Sequence, residues 1–271
     1  MRRRIFQWIA VAPVLVLLAL SSGCNKLRAR DRLNKGVQAY SNAQYPEAVE
    51  WFKEAVDLDP SFATARLYLA TAYMSQYIPG AESEENLKMA KMAEDEFQTV
   101  LKADPNNKVA IASIASLHFH KKEFDQAEEW NRRLIAVDPN YKEAYYTLGV
   151  IAWTRTFQKS AEARAELGMT PEEPGPLKNP KVRDEVRKVN LPIIESGIEM
   201  LQKALKIDPE YDDAMAYLNL LYRQKAEVAD TPQEYQESVT AADNWIDKTM
   251  ATKKAKAARS QQASFGLENT E

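Results

Sequence analysis

The chain has 271 residues, 45% hydrophobic and 28% charged, with eight glycines, enough for a sizeable core in one large domain or two small ones. Its net charge of -3 falls to -6 without Arg2, Arg3 and Arg4, leaving 33 basic against 39 acidic residues, which argues against nucleic-acid binding as the main task. Few glycines and plentiful alanine, leucine, glutamate and lysine favour helix over strand, so the expected fold class is all-α, and a single cysteine, Cys24, excludes an intramolecular disulfide.

The chain begins with a basic stretch, Met1 to Arg4, followed by an apolar run from Ile5 to Leu20 that contains Gln7 and Pro13. Small residues, Ser21, Ser22 and Gly23, stand directly before Cys24. This order marks a secretory signal, and the run is shorter than the roughly 20 residues that span a bilayer. The segment Leu20-Ser21-Ser22-Gly23-Cys24 resembles the lipobox of bacterial lipoproteins, departing from it at Ser21. The resemblance implies cleavage before Cys24 and lipidation of its thiol, with 1–23 as signal peptide and 24–28 as a short tether. Lys26, Arg28, Arg30, Arg32 and Lys35 follow, with Asp31 the one acid among them. They read either as a surface that anionic lipid attracts or as a solvated helix face.

Four Asp-Pro pairs punctuate the rest: Asp59-Pro60, Asp104-Pro105, Asp138-Pro139 and Asp208-Pro209. Proline cannot continue a helix and biases its predecessor out of the α region, so each pair predicts a helix end. The spacings are 45, 34 and 70 residues. Twelve residues before the prolines stand Ala48, Ala93, Ala127 and Gly197, all small, as close helix crossings require. Eight before stand Phe52, Phe97, Asn131 and Leu201, and Gly36 and Ala115 lie 24 before the first and third prolines. This register resembles the tetratricopeptide (TPR) repeat, whose period is about 34 residues. Gln44 to Ala48 and Glu123 to Ala127 resemble its interhelical turn, and Ala144 to Gly149 its first helix. Asn131 and Gly197 depart from the pattern, and the usual early tryptophan is missing. The resemblance covers roughly residues 29–223. It implies an α-solenoid of about four to five helix pairs, in which neighbours stack to share one core.

The expected repeat domain spans 29–260, with insertions near 75–85 and 159–183. The second insertion holds Pro171, Pro174, Pro176 and Pro180 with Gly168 and Gly175. A loop followed by a long helix is preferred there over a decayed repeat. Thr231-Pro232-Gln233-Glu234 reads as a helix start. It opens a capping helix over about 232–259, whose closing Lys253, Lys254, Lys256 and Arg259 suit the negative pole of the helix. Residues 261–271 read as a disordered tail.

No residue pattern supports catalysis, a metal or a cofactor, so the expectation is a non-enzymatic protein with no cofactor and no small-molecule substrate. His118 and His120 stand two apart on a predicted helix and point in different directions, and His118 takes a core-facing place. In the fourth repeat, Ala144, Tyr145, Leu148 and Ala152 form the stripe facing the stack. Tyr146, Val150, Trp153 and Phe157 form a second stripe. The family resemblance implies that this second direction lines a concave, peptide-binding groove. Equivalent places elsewhere are Leu33, Val37 and Tyr40; Leu67, Thr71 and Met74; Ala112, Ser116 and Phe119; Ala216 and Leu220. The groove lacks the lysine-asparagine clamp of chaperone-binding members. It is either exposed for a partner or covered by the protein's own insert.

The expectation is a lipid-anchored adaptor of the bacterial envelope, at the periplasmic face of the outer membrane. It would bind a protein partner in envelope assembly or secretion. The alternative is a non-catalytic subunit of, or accessory to, an envelope enzyme.

Overall fold

The computed structural model describes residues 24–170 and 173–268, the side chains as far as 262. The expected signal peptide, 1–23, and the last three residues of the expected tail lie outside the described residues. No strand occurs among the described residues. The helices are α1 (24–41), α2 (Tyr45–Leu58), α3 (Ala63–Met74), α4 (Glu84–Ala103), α5 (Lys108–His120), α6 (Phe124–Val137), α7 (Lys142–Glu166), α8 (Pro180–Ile207), α9 (Asp212–Glu227) and α10 (Pro232–Glu268).

Each Asp-Pro pair ends a helix, by one local arrangement used four times. The amide of the aspartate donates back four residues, as Asp59 does to Ala55 O and Asp208 to Ala204 O. Its side chain then accepts from the amide two residues on, in Ser61, Asn106, Asn140 and Glu210. Its carbonyl accepts from the amide three residues on, in Phe62, Asn107, Tyr141 and Tyr211. Proline between them holds φ at the value a turn needs and has no amide left to satisfy. The chain therefore reverses over about four residues and starts the next helix.

The chain divides into two compact units between Trp130 and Asn131. In the first, α2 packs on α3, α3 on α4 and α5, and α4 on α5. Its core holds Ala48, Phe52, Ala70, Ala93, Phe97, Ile111 and Ile114, all nearly inaccessible. A Cβ on Gly36 would stand 2.4 Å from Phe52 Cε1, so only glycine allows α1 and α2 this crossing. The expected insertion near 75–85 is a short linker held by Asn86. That side chain accepts from Ile78 N at 2.7 Å and donates to Ile78 O and Ala81 O. The expected tether, 24–28, is instead the first turn of α1, because Asn25 to Leu33 contain no helix breaker.

In the second unit α7 packs on α8 and α9, α8 on α9, and α9 on α10. Ile194, Leu201, Ala204, Leu218, Leu221 and Leu177 form its core. The insertion is shorter than expected at both ends. Gln158 to Glu166 are good helix formers and continue α7. The helix stops where Gly168 takes a left-handed φ of 63° and Met169 N donates to Arg164 O. Helix α8 starts at Pro180, with the Asn179 side chain accepting from Lys181 N and Val182 N. A single pair of long helices thus fills the 70-residue spacing, and no decayed repeat lies within it.

Helix α10 opens as expected, with Thr231 Oγ1 accepting from Glu234 N. It runs on through Glu268, past the expected boundary near 260 and into the expected tail. Its basic residues do not close it. Lys256 pairs with Asp212, and Arg259 makes two bonds to Glu210 at 2.9 and 2.7 Å, so both fasten α10 to the start of α9.

Candidate functional site

On α7, Ala144, Leu148 and Ala152 of the stripe expected to face the stack are buried, and Tyr145 is half-buried. On the second stripe Val150 is buried, Tyr146 and Trp153 are half-buried, and Phe157 is 51% exposed. The rings form one connected aromatic surface shared with α9. Tyr146 meets Tyr211 at 5.1 Å and Tyr217 edge-on at 5.6 Å; Trp153 meets Tyr217 edge-on at 5.6 Å and stacks on Phe157 at 5.1 Å. Burial, with the Asp213 carboxylate adding to it, raises the Tyr146 hydroxyl above the ordinary phenol range. Tyr211 is pushed up to about 12, chiefly by burial. Both phenols are therefore neutral at any physiological pH and serve as apolar surface with a hydrogen-bonding tip.

Past Phe157 the stripe opens into a pocket of about 390 Å³. Its apolar walls are Trp153, Phe157, Ala161 and Ala165 on α7, Met169 on the insert and Leu220 on α9. Ser160, Arg164, Arg223, Gln224 and Glu227 supply the polar part. Below it runs a hydrogen-bonded network unusual for the interior of a helix pair. Thr156 bonds Gln224, and Asn190 Nδ2 donates to Thr156 O at 3.0 Å and Ser160 Oγ at 3.2 Å. Arg164 is 8% exposed and is the post on which the insert hangs. One terminal nitrogen donates to Glu227 Oε1 at 3.1 Å, the other to the carbonyls of Thr170 and Glu173 at 2.6 and 2.5 Å. Leu177 N donates to Glu227 O at 2.9 Å, and a Cβ on Gly175 would stand 3.3 Å from Glu227 Cα. Burial pushes the Glu227 carboxyl up, against the opposing pull of Arg164.

The insert therefore docks on the end of α9 and walls one side of the pocket; it does not seal the stripe. Of the four α7 residues the sequence singled out, Tyr146, Trp153 and Phe157 join this aromatic surface, whereas Val150 is buried and takes no part in it. The sequence missed Tyr211, Tyr217, Met169, Arg164, Gln224 and Glu227. Tyr217 adjoins the predicted stripe residue Ala216 and could have been found; the Arg164–Glu227 pair, 63 residues apart, left no local trace.

In the first unit the stripe positions are half-buried throughout: Leu33, Val37 and Tyr40; Leu67, Thr71 and Met74; Ala112, Ser116 and Phe119. Tyr40 bonds Ser75 Oγ at 2.8 Å and meets the Tyr45 ring at 5.2 Å, while Phe119 meets Phe124 at 6.0 Å. His118 is buried, with Nδ1 2.6 Å from Glu123 Oε2 and Nε2 3.6 Å from Glu94 Oε1, whereas His120 is exposed. No cluster of potential metal ligands occurs among the described residues.

Of the basic residues near Cys24, Lys26, Arg28 and Arg30 are exposed. Arg32 is not free for a surface: it pairs with Glu54 at 3.0 Å and lies 5.0 Å from the Trp51 ring. Lys35 pairs with Asp31 at 3.1 Å and also reaches Trp51.

Comparison with known proteins gives matches to two family models, a TPR repeat over residues 36–76 and a tetratricopeptide repeat over residues 88–149. No curated protein matches the chain in sequence. Among solved structures, the crystal structure of MamA is 18% identical with a TM-score of 0.54, covering 82% of this chain and 96% of that one. MamA from Desulfovibrio magneticus RS-1 is 18% identical with a TM-score of 0.56, covering 84% and 96%. The crystal structure of YrrB, described as a TPR protein with an unusual peptide-binding site, is 16% identical with a TM-score of 0.50, covering 83% and 90%. At such identities the likeness shows the fold alone. Helix pairs ended by Asp-Pro turns, small residues at the crossings, two matching repeat models and these structures together make the chain an all-α protein of tetratricopeptide-type helical repeats.

Proposed function

We propose that the chain is a membrane-anchored scaffold that binds a protein partner through the aromatic surface of its second unit, in envelope assembly or secretion. One observation carries the partner site: the Trp153–Phe157 stack stands at the mouth of a pocket with Phe157 half-exposed, where the insert could have covered it. Exposed aromatic pairs beside a concavity are the usual anchors of protein interfaces. A peptide-binding site on the similarly folded YrrB fits the same use of the fold. Anchoring rests on the lipobox-like segment and on the place of Cys24. The thiol is exposed at the start of α1, with Lys26, Leu27, Arg28 and Arg30 exposed after it. A lipid on Cys24 would hold these cations within a Debye length of the headgroups.

The test is a photo-crosslinking amino acid at position 157 in living cells, with position 199 on α8 as an exposed control. A discrete adduct from 157 and none from 199 is the expected result. Equal, diffuse labelling from both positions would refute the groove as a partner site. An adduct that proves to be one envelope enzyme would select the accessory-subunit alternative.

A further inference from the structure

Exposed helix faces in this protein carry opposite charges one turn apart: Lys91 pairs with Asp95, Lys188 with Asp184 and Lys203 with Glu199. The start of α1 does the reverse. Lys26 and Arg30 stand four apart, as do Arg28 and Arg32, so both pairs are like-charged and oppose the helix. Arg32 is neutralised by Glu54 and lies over the Trp51 ring, and Asp31 is taken by Lys35. Lys26, Arg28 and Arg30 are exposed with no carboxylate partner among the described residues, in a chain where acids outnumber bases. Between them stands Leu27, 68% exposed, the most exposed large apolar side chain of those described. A face built only for water would hold neither the unrelieved repulsion nor the bare leucine.

We infer that Lys26, Arg28 and Arg30 dock on the headgroups of acidic phospholipid with Leu27 entering the interface between them, and that membrane contact ends between Arg30 and Arg32. This rests on the anchored reading and names the lipid that the anchored end touches. Charge complementarity selects the lipid class. A layer of phosphodiester anions supplies the counter-charge that the chain withholds from these three cations and relieves their mutual repulsion. A zwitterionic surface has no net charge to offer them. The position of the patch brings it to that layer. Arg30 lies about 9 Å along the helix from Cys24, at 1.5 Å per residue, comparable with the Debye length of about 8–10 Å. Lysine and arginine side chains are long enough to keep their heads among the phosphates while the leucine sits deeper. The next two cations are turned away. Arg32 and Lys35 both lie over Trp51 on α2, held by Glu54 and Asp31, and this commitment to the fold sets the limit of the contact.

The test uses the full chain purified from membranes and reconstituted into vesicles of phosphatidylcholine alone or of equimolar phosphatidylcholine and phosphatidylglycerol. A fluorescent amino acid replaces Leu27 or, as a control, the exposed Asn34, and spin-labelled lipid quenches it on contact. Position 27 should be quenched strongly in the mixed vesicles and weakly in phosphatidylcholine, and position 34 in neither. Molar salt, with a Debye length of about 3 Å, should abolish the difference. Lys26→Gln, Arg28→Gln and Arg30→Gln together should lower the ratio of docked to lifted α1 about a hundredfold, about fivefold for each cation. The same triple variant should keep or raise Tm in detergent, because the like-charge pairs are gone. Equal quenching of position 27 in both lipids, or a triple variant that docks as wild type does, would overturn the inference. A lower Tm in the triple variant would also overturn it, since the cations would then serve the fold. Quenching of position 34 equal to that of position 27 would overturn the limit at Arg30. Mass spectrometry of the same sample separates this from the anchor. An acylated Cys24 with lipid-independent quenching keeps the anchor and fails the patch, whereas phosphatidylglycerol-dependent quenching on an unacylated chain fails the lipid anchor and keeps the patch.

Discussion

Gly149 on α7 lies beneath Leu201 on α8, so close that a Cβ on the glycine would stand 2.4 Å from Leu201 Cγ. Gly36 and Phe52 make the same crossing between α1 and α2, also at 2.4 Å. The partners are 16 residues apart in the first repeat and 52 in the fourth. That excess of 36 equals the excess of the last Asp-Pro spacing, 70, over the regular 34. All the added chain therefore lies between the crossing partners, as extra turns of α7, the docked insert and extra turns of α8. The helix pair was lengthened outward from a fixed crossing, and the pocket is built from what was added.

The crossing predicts the effect of a single methyl group. Gly149→Ala gains about 1 kcal/mol of helix propensity. It also drives a Cβ into Leu201, which is wholly buried and has no space to yield. Overpacking of this kind costs about 1–3 kcal/mol, so net destabilisation is expected. Urea denaturation measures it. A variant at least as stable as wild type would show that α7 and α8 can separate cheaply.

Arg164 predicts the state of the insert. Arg164→Ala removes the bonds to Glu227, Thr170 and Glu173 and leaves the half-buried Glu227 carboxyl without its cation. Breaking a fully buried pair from one side costs about 3–5 kcal/mol, and the partial exposure of Glu227 makes the loss here smaller. Hydrogen exchange at Leu177 N, which donates to Glu227 O, should accelerate more than exchange in the α8–α9 core. Uniform acceleration throughout the unit would mean that the insert is not a separately held element.

A pH dependence follows from Lys142 and Asp208, bonded at 2.6 Å across 66 residues. The Lys142 hydrogen bond holds the Asp208 carboxyl below its ordinary value. A depressed carboxylate stabilises the fold fully above its unfolded pKa of about 3.9, and this is lost as pH falls through the folded value. Lys142 is raised by the same bond, so its share is present below about pH 10.4 and fades above its raised folded value. Asp208→Asn should flatten the acid limb of a stability–pH curve below pH 4 and the alkaline limb above pH 10. Unchanged limbs would mean that water screens the pair completely.

Much of this architecture was readable because its signals are local. An Asp-Pro pair carries its own turn chemistry, and an alanine or glycine twelve residues earlier marks a crossing whatever surrounds it. The start of the insert was harder to read. Prolines at 171–180 suggested a loop from 159, but nothing between Gln158 and Glu166 opposes a helix, and the glycine that ends it is Gly168. The length of α10 was hidden for a different reason. Lys256 and Arg259 look like the cations of a helix end until Asp212 and Glu210 on α9 are seen to hold them. The polar groups at and beneath the pocket, Thr156, Arg164, Asn190, Gln224 and Glu227, come from three helices. No periodicity in one helix records such a meeting.

Anchoring has its own test. Cys24→Ala should leave an unprocessed precursor, whereas wild type should partition into detergent with an acyl-modified N-terminal cysteine. A mature, water-soluble protein cleaved elsewhere would rule out the lipid anchor.

Trp153 joins the partner site to the fold, and its removal separates the two contributions. The ring is half-buried, edge-on to Tyr217 and stacked on Phe157, and it lines the pocket. A fully buried tryptophan replaced by alanine costs about 3–5 kcal/mol through the cavity it leaves. Here the pocket side is already open to solvent, so the loss should be smaller, about 1–2 kcal/mol from aromatic contacts and partial burial. For a chain of this size that lowers Tm by about 2–8 °C. Partner binding should suffer more, by about 2 kcal/mol or above, as at an aromatic anchor whose whole wall is lost. Trp153→Phe should restore most of the stability, because the edge-on contact to Tyr217 survives, and only part of the binding. Measuring Tm and adduct yield from position 157 on both variants decides the matter. A collapse of Tm in Trp153→Ala with adduct yield falling only in proportion to folded protein would make Trp153 a core residue, and the partner surface would have to lie elsewhere.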